Sequence, residues 1–247
     1  FCSGGEYPLY GHWRSCLKGN NLFLTRPILA LAKLKIVTLL VFVAACGMWK
    51  AADGMPPWPV VVAILLGGAL AAAGSNSINQ ALDSDIDAMM SRTQNRPIPS
   101  KQIGRKLAIT MGISSIGLAL IIMGVFANWT SAILTGVAAL YYVFLYTLMM
   151  KRKSWNNIVI GGAAGAFPPL IGSAAVIGHI ELQGLYMFAV VFFWTPPHFW
   201  ALSLLLKDDY AEAKIPMLSV VAGEKNTGIQ INLYIVLMIL LTWLPLI

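Results

Sequence analysis

At the foot of a long apolar stretch the chain reads Asn79-Gln-Ala-Leu-Asp83-Ser-Asp85-Ile-Asp87, with Arg92 and Arg96 close behind. Residues four apart on a helix are about 40° out of register and about 6 Å apart along the axis, so Asn79, Asp83 and Asp87 line one face and can share one ligand. Asp85, two residues off, points elsewhere if the helix continues. Oxygen donors in this pattern suit Mg²⁺, which is held by one or two carboxylates together with waters and substrate phosphates. The plainer account is a solvated acidic loop, and two observations weigh against it. Carboxylates at a helix C-terminus meet the negative end of the macrodipole and need a compensating cation. Asn76 and Asn79 also carry the polar patch back into the apolar stretch, where polar side chains tend to be functional.

A second acidic patch, Lys207-Asp208-Asp209-Tyr210-Ala-Glu212-Ala-Lys214, follows a later apolar stretch. Alone it reads equally well as a solvated charge run. Two such patches on one membrane face, each with basic neighbours, would make a diphosphate site in which Mg²⁺ bridges carboxylates to phosphate and cations neutralise the remainder. Arg92 and Arg96 after the first patch, and Lys207 and Lys214 in the second, are those neighbours.

The third lead is Trp194-Thr-Pro196-Pro197-His198-Phe199-Trp200, inside an apolar stretch. Proline removes a backbone donor, so Pro196 and Pro197 should open the helix and free carbonyls. His198 then either satisfies one of those carbonyls or, among aromatic neighbours, contacts a planar ligand as proton carrier or iron ligand. His12, near the N-terminus, and His179, near the opposite face, are not site candidates. Gly161-Gly-Ala-Ala-Gly165 has the look of a phosphate loop but lies within an apolar stretch with no strand before it. Small residues at that spacing let membrane helices approach closely, and Pro168 and Pro169 beyond them predict a kink. Cys2, Cys16 and Cys46 have neither the spacing of a zinc site nor the number of a disulfide framework.

The elements that must position these residues follow from composition. Of 247 residues, 58% are hydrophobic and 11% charged, with mean hydropathy +0.73, where soluble domains carry about 25% charged residues. Seven stretches, 34–52, 57–82, 106–127, 129–150, 155–177, 183–206 and 228–247, are each long enough to cross a bilayer. Unpaired backbone groups are not tolerated in lipid, and continuous apolar runs exclude barrel alternation, so all seven read as helices. The fold class is an all-α polytopic membrane protein, with an extramembrane tail over 1–33 and one membrane domain over 34–247. The net charge of +7 would point to nucleic acid on a soluble protein. Here 16 of the 17 basic residues fall on one side of the spans and only Lys50 opposite, so the charge sets orientation and nucleic acid is not a partner. By the positive-inside tendency the N-terminus and both acidic patches face the cytoplasm or the mitochondrial matrix. The first twenty residues lack the bias of a transit peptide, which favours a bacterial plasma membrane over a mitochondrial inner membrane.

The Asn79, Asp83, Asp87 pattern resembles the first aspartate-rich motif of the UbiA-type intramembrane prenyltransferases. Within that superfamily, DSDIDAMMSRTQNRPIP (83–99), SWNNIVIGGAAGAFPPLIGSAAV (154–176), FFWTPPHFWAL (192–202) and KDDYAEAKIPMLSVV (207–221) are similar to the heme O synthase, or protoheme IX farnesyltransferase, family. The likeness runs from about residue 34 to the end. It implies a bundle usually of nine helices, so that the last two are expected to be missing here, and Lys33-Leu34-Lys35 departs from the family's usual Lys-Pro-Arg. It also implies that farnesyl diphosphate alkylates a vinyl group of heme B, with Mg²⁺ as cofactor. Asn79, Asp83, Asp87, Asp208 and Asp209 are then the metal-binding and catalytic residues, and Arg92, Arg96, Lys151 and Arg152 bind diphosphate. His198, Trp200 and Tyr146 are candidates for the heme acceptor, with Tyr141 and Tyr142 as further lining. Membrane lipid, and heme A synthase or oxidase assembly factors, are the expected partners. The alternatives are a UbiA-type enzyme that prenylates an aromatic acid or quinone precursor, or a non-enzymatic transporter or scaffold. A transporter's carboxylates should form a path across the membrane, whereas these cluster on one face.

Overall fold

The computed structural model describes residues 25–244. Residues 1–24, with Cys2, His12, Arg14, Cys16 and Lys18, and the closing 245–247 lie outside the described residues. Among the described residues seven helices are long and apolar enough to cross a membrane: α1 (Leu34–Ala52), α2 (Trp58–Leu82), α3 (Arg105–Phe126), α4 (Trp129–Met150), α5 (Asn157–Ile177), α6 (Leu182–Leu205) and α7 (Gly223–Trp243). They match the seven apolar stretches to within a few residues, except that α7 starts at Gly223 rather than 228.

Small residues decide which helices touch. A Cβ added to Gly172 of α5 would collide with the carbonyl oxygen of Ala44 on α1, and one added to Gly47 with that of Pro169, so α1 and α5 meet backbone to backbone. Gly74 and Gly112 bring α2 and α3 together in the same way. The glycine run of α5 serves packing at two of its three positions. Gly161 leaves room for the Tyr146 ring and Gly162 for Thr195, while nothing lies near Gly165. α6 packs on α5, and α7 packs mainly on α6.

Both proline pairs lie within helices that run unbroken from Asn157 to Ile177 and from Leu182 to Leu205. The expected opening at Pro196 and Pro197 is absent. Thr195 donates its hydroxyl to the Val191 carbonyl at 2.7 Å, a local bond of the kind that lets membrane helices carry proline.

The apolar interior is in three parts. Met48, Ile64, Met123, Leu170 and Ala174 belong to a core of α1 to α5. Two smaller clusters, around Leu31, Ala81 and Ile98 and around Ile86, Trp200 and Met217, lie toward the end of the bundle that carries the acidic patches. Asn128 staples the opposite end. Its Oδ1 caps α4 by accepting the Ser131 N–H at 2.8 Å, and its Nδ2 donates to the Ala174 and Ala175 carbonyls of α5 at 2.9 Å each.

Two substitutions a few residues apart should therefore behave oppositely. Gly172→Val, driven into the α1 backbone, is expected to cost about 3 kcal/mol or more. Gly165→Ala, with open space around it, is expected to be neutral or to stabilise by up to about 1 kcal/mol. Thermal unfolding in detergent checks both, and equal effects would refute the packing assignment.

Candidate active site

The polar end of α2 organises the site. Ser75, Asn76, Ser77, Asn79 and Gln80 are buried there, although the stretch is flanked by apolar helix. Residues 25–32, expected to be tail, form a helix whose Leu31 is wholly buried against Ala81, Ile98 and Ile103. Gln80 donates to the Leu31 carbonyl at 2.7 Å and Asn76 to that of Ala32 at 3.2 Å, satisfying acceptors where the short helix runs out. The chain then turns through Lys33 in the left-handed region (φ 52°, ψ 56°) and enters α1. A non-glycine residue there costs about 1–3 kcal/mol and persists only when its surroundings over-determine it. The turn aims Lys33 Nζ at Asn79 Oδ1, 3.2 Å away. Burial, then the nearby Arg96 and Lys151, push the Lys33 ammonium down to about 7, against the opposing pull of Asp87 and Asp83.

Asn79, Asp83 and Asp87 keep one face, as their spacing predicts. The helix falters at Asp83 (φ −94°, ψ 9°), yet the Asp83 N–H still reaches the Asn79 carbonyl at 2.9 Å and the Asp87 N–H reaches that of Asp83 at 2.8 Å. Asp83 is 1% exposed and Asp87 2%. Carboxylates this buried require partners. Asp83 Oδ2 accepts from Asn79 Nδ2 at 2.8 Å and from Lys151 Nζ at 2.5 Å. Asp87 accepts Arg96 Nη1 on both oxygens at 2.7 Å. Asp85 turns away, as anticipated, and takes the fork of Arg152 at 2.7 and 2.8 Å. Those hydrogen bonds hold the exposed Asp85 carboxyl below its ordinary range.

Lys151 reaches Asp83 because the last part of α4, Tyr141–Met150, winds as a π-helix. Each N–H there reaches five residues back, as Lys151 N–H does to the Tyr146 carbonyl at 2.9 Å, and the Thr147 hydroxyl follows to that of Tyr142. Thr147 thereby comes within 3.1 Å of Asn79 Nδ2. Tyr142 and Tyr146 stack at 5.7 Å on the same stretch. A cavity of about 350 Å³ opens beside the carboxylates, lined by Leu82, Asp83, Asp85, Arg105, Thr147, Leu148 and Arg152.

The second patch is brought beside the first. Ser91 donates to both carboxylate oxygens of Asp209 at 3.0 and 3.1 Å, across 118 residues of sequence. Asp208 is exposed. Among the described residues no group of three or more His, Cys, Asp and Glu side chains gathers as a metal cage, so the five expected ligands do not converge through the protein alone. Arg92 is exposed and joins none of the ion pairs among the described residues.

His198 and Trp200 part company. His198 is exposed and stacks on Trp194 at 4.5 Å, whereas Trp200 is buried edge-on to Tyr234 at 5.2 Å. The sequence reading gave no site role to Lys33, noted only where Lys33-Leu34-Lys35 departs from the family pattern, to Ser91 within 83–99, or to Arg105 and Thr147, which lie outside the quoted motifs.

The donor set fits Mg²⁺. It is made of hard oxygens, and Asp83 Oδ1 is buried without a hydrogen-bond partner among the described residues, with Arg152 Nη2 3.8 Å away. An ion that keeps its waters and binds substrate phosphates needs no more than one or two carboxylates.

The UbiA prenyltransferase family model matches residues 39–247. The chain is 46% identical over 223 residues to the protoheme IX farnesyltransferase of Thermus thermophilus, covering 90% of this chain and 36% of that protein. With the protein of that name from Rhizorhabdus wittichii the identity is 44%, over 89% of this chain and 72% of the relative. The chain thus spans little more than a third of the length of the Thermus relative. Among solved structures, a UbiA homolog from Archaeoglobus fulgidus bound to DMAPP and Mg²⁺ superposes with a TM-score of 0.72 at 18% identity, over 89% of this chain and 75% of that one.

The buried pair predicts a coupled response. Asp83→Ala strands the Lys151 ammonium and should cost about 3–5 kcal/mol. The double variant Asp83→Ala/Lys151→Met should recover much of that loss in thermal unfolding, and a double variant no more stable than the single would show that the two charges are not a pair.

Proposed function

We propose that this chain, which belongs to the UbiA prenyltransferase family, transfers the farnesyl group of farnesyl diphosphate to a vinyl group of heme B, giving heme O. The observation that carries the reading is the buried Asn79, Asp83, Asp87 face ringed by Lys33, Arg96, Lys151 and Arg152. The 44–47% identity to relatives named protoheme IX farnesyltransferase supplies the choice of substrates.

In the reaction the farnesyl C1–O bond breaks and its electron pair leaves with diphosphate. The heme vinyl group forms the new C–C bond, and water adds its hydroxyl to the neighbouring carbon while its proton passes to solvent. Arg96, Lys151 and Arg152, with Lys33 between them and Arg92 at the rim, neutralise the leaving group. Charges fixed before the reaction avoid reorganisation during it, commonly a large part of catalysis. Asn79, Asp83 and Asp87, with Asp208 and Asp209 for a second ion, would hold Mg²⁺, which would supply Lewis-acid neutralisation of the diphosphate. The rings of Tyr142 and Tyr146, and of Tyr141 against Phe167 at 6.3 Å, give the farnesyl cation an apolar wall that excludes water. His198, exposed beside Trp194, is the candidate contact for heme. Trp200, buried among apolar side chains, reaches the acceptor only through them.

The protein is an integral membrane protein of seven described spans. Its site opens to the cytoplasm of a bacterial cell, or to the matrix of a mitochondrion, on the side that carries 16 of its 17 basic residues. Heme A synthase or oxidase assembly factors in the same membrane are the partners that would take the product.

Mass spectrometry of porphyrins after incubation with heme B, farnesyl diphosphate and Mg²⁺ tests the reading. The expected product is heme carrying farnesyl plus the elements of water, absent with EDTA. Asp83→Ala and Asp87→Ala should each lower turnover by about 10²-fold or more. An active Asp83→Ala enzyme would sink the assignment, and prenylation of an aromatic acid with heme untouched would move the acceptor.

A further inference from the structure

The two acidic segments are joined twice, at different depths. At the rim is the exposed bond from Ser91 to Asp209. Water competes for such a contact, so it contributes little to holding the segments at a fixed distance. Beneath it lies an apolar plug. Ile86 and Met90 come down from the first segment, and Ile215 and Met217 from the second, all at most 5% exposed. Trp200 of α6, 1% exposed and among the largest fully buried side chains described, belongs to the same cluster. Ile86 sits next to Asp87 in the chain, and the plug residues of the second segment begin a few positions after Asp209. A buried bond from the Ser219 hydroxyl to the Ser203 carbonyl, 3.1 Å, ties the second segment to α6 one turn from Trp200.

We propose that Trp200 is a positioning residue whose indole sets the spacing between the Asp87 segment and the Asp208–Asp209 segment. It acts through Ile86 and Ile215 and touches no reacting atom. The shape of the ring, not its polar atom, does this. Trp200 Nε1 is buried with no acceptor among the described residues, so the N–H adds no bond to the plug. An unsatisfied buried donor is a cost, and a ring without it should serve as well. The inference builds on the proposed metal site, but the distance between the segments can be measured without any turnover.

The test uses the full chain in lipid nanodiscs with Cys2, Cys16 and Cys46 changed to Ser. Nitroxide labels on Gln94→Cys and Glu212→Cys, both exposed positions, report the spacing by pulsed electron resonance. Trp200→Phe should keep the narrow distance distribution and an unchanged or higher melting temperature. Trp200→Ala should broaden the distribution and raise the Mg²⁺ concentration for half-maximal turnover about 10-fold or more, as loss of a support behind metal ligands does. A narrow, unshifted distribution in Trp200→Ala overturns the proposal. Should that variant fail to fold, Ile215→Ala opens the plug from the loop side and must broaden the same distribution, and an unchanged distance there overturns it equally. A wild-type protein without prenyl transfer would instead refute the proposed reaction, leaving the distance result to decide the role of Trp200.

Discussion

Two carboxylates buried at the edge of a membrane domain set the terms for everything around them. An isolated buried charge costs several kcal/mol, so Asp83 and Asp87 can persist only where cations are delivered to them. Lys151 arrives from the end of α4, Arg96 from the loop after α2, and Lys33 from the turn before α1. Three separate pieces of chain are thus committed to one small volume. Their mutual repulsion shows in the depressed Lys33 ammonium, which Arg96 and Lys151 lower beyond what burial does. An anion entering this volume would relieve that repulsion.

The bundle supplies the rigidity. Lipid gives helices no hydrophobic reason to associate, so close backbone packing must do it. Gly47 against Pro169 and Gly172 against Ala44 lock α1 to α5, and Gly74 against Gly112 locks α2 to α3. α1 follows Lys33 and α2 carries Asn79, so these contacts hold each helix that presents a site residue tightly against a neighbour. α7, with few buried side chains and α6 as its main contact, lies outside this scaffold.

Much of this was legible in the sequence. Apolar length gave the spans, and the four-residue spacing gave the shared face of Asn79, Asp83 and Asp87, because both follow from helix geometry that lipid enforces. The outward turn of Asp85 followed from the same arithmetic. What stayed hidden needed three dimensions. Lys33 stood out only for departing from the family pattern, and its inward turn rests on tethers from Asn76 and Gln80 to the preceding carbonyls that spacing does not reveal. His198 and Trp200 sit two residues apart in one motif and so face opposite surroundings, which proximity in sequence concealed. The prolines misled in the other direction, since a helix inside a membrane bundle tolerates them where a solvated one would break.

The π-wound end of α4 has a consequence for how this stretch can change over time. A π-turn carries a surplus residue relative to an α-turn. Deleting any one residue within Tyr141–Met150 would let the strand of hydrogen bonds relax to ordinary winding, a gain for the helix taken by itself. The relaxed winding absorbs the missing residue, so Lys151 keeps its side of the helix, while the five-residue spacing that sets the Thr147 hydroxyl on the Tyr142 carbonyl is given up. The length of this apolar run is therefore a coded quantity. Substitutions among its greasy side chains are cheap, whereas a shift of one codon is not.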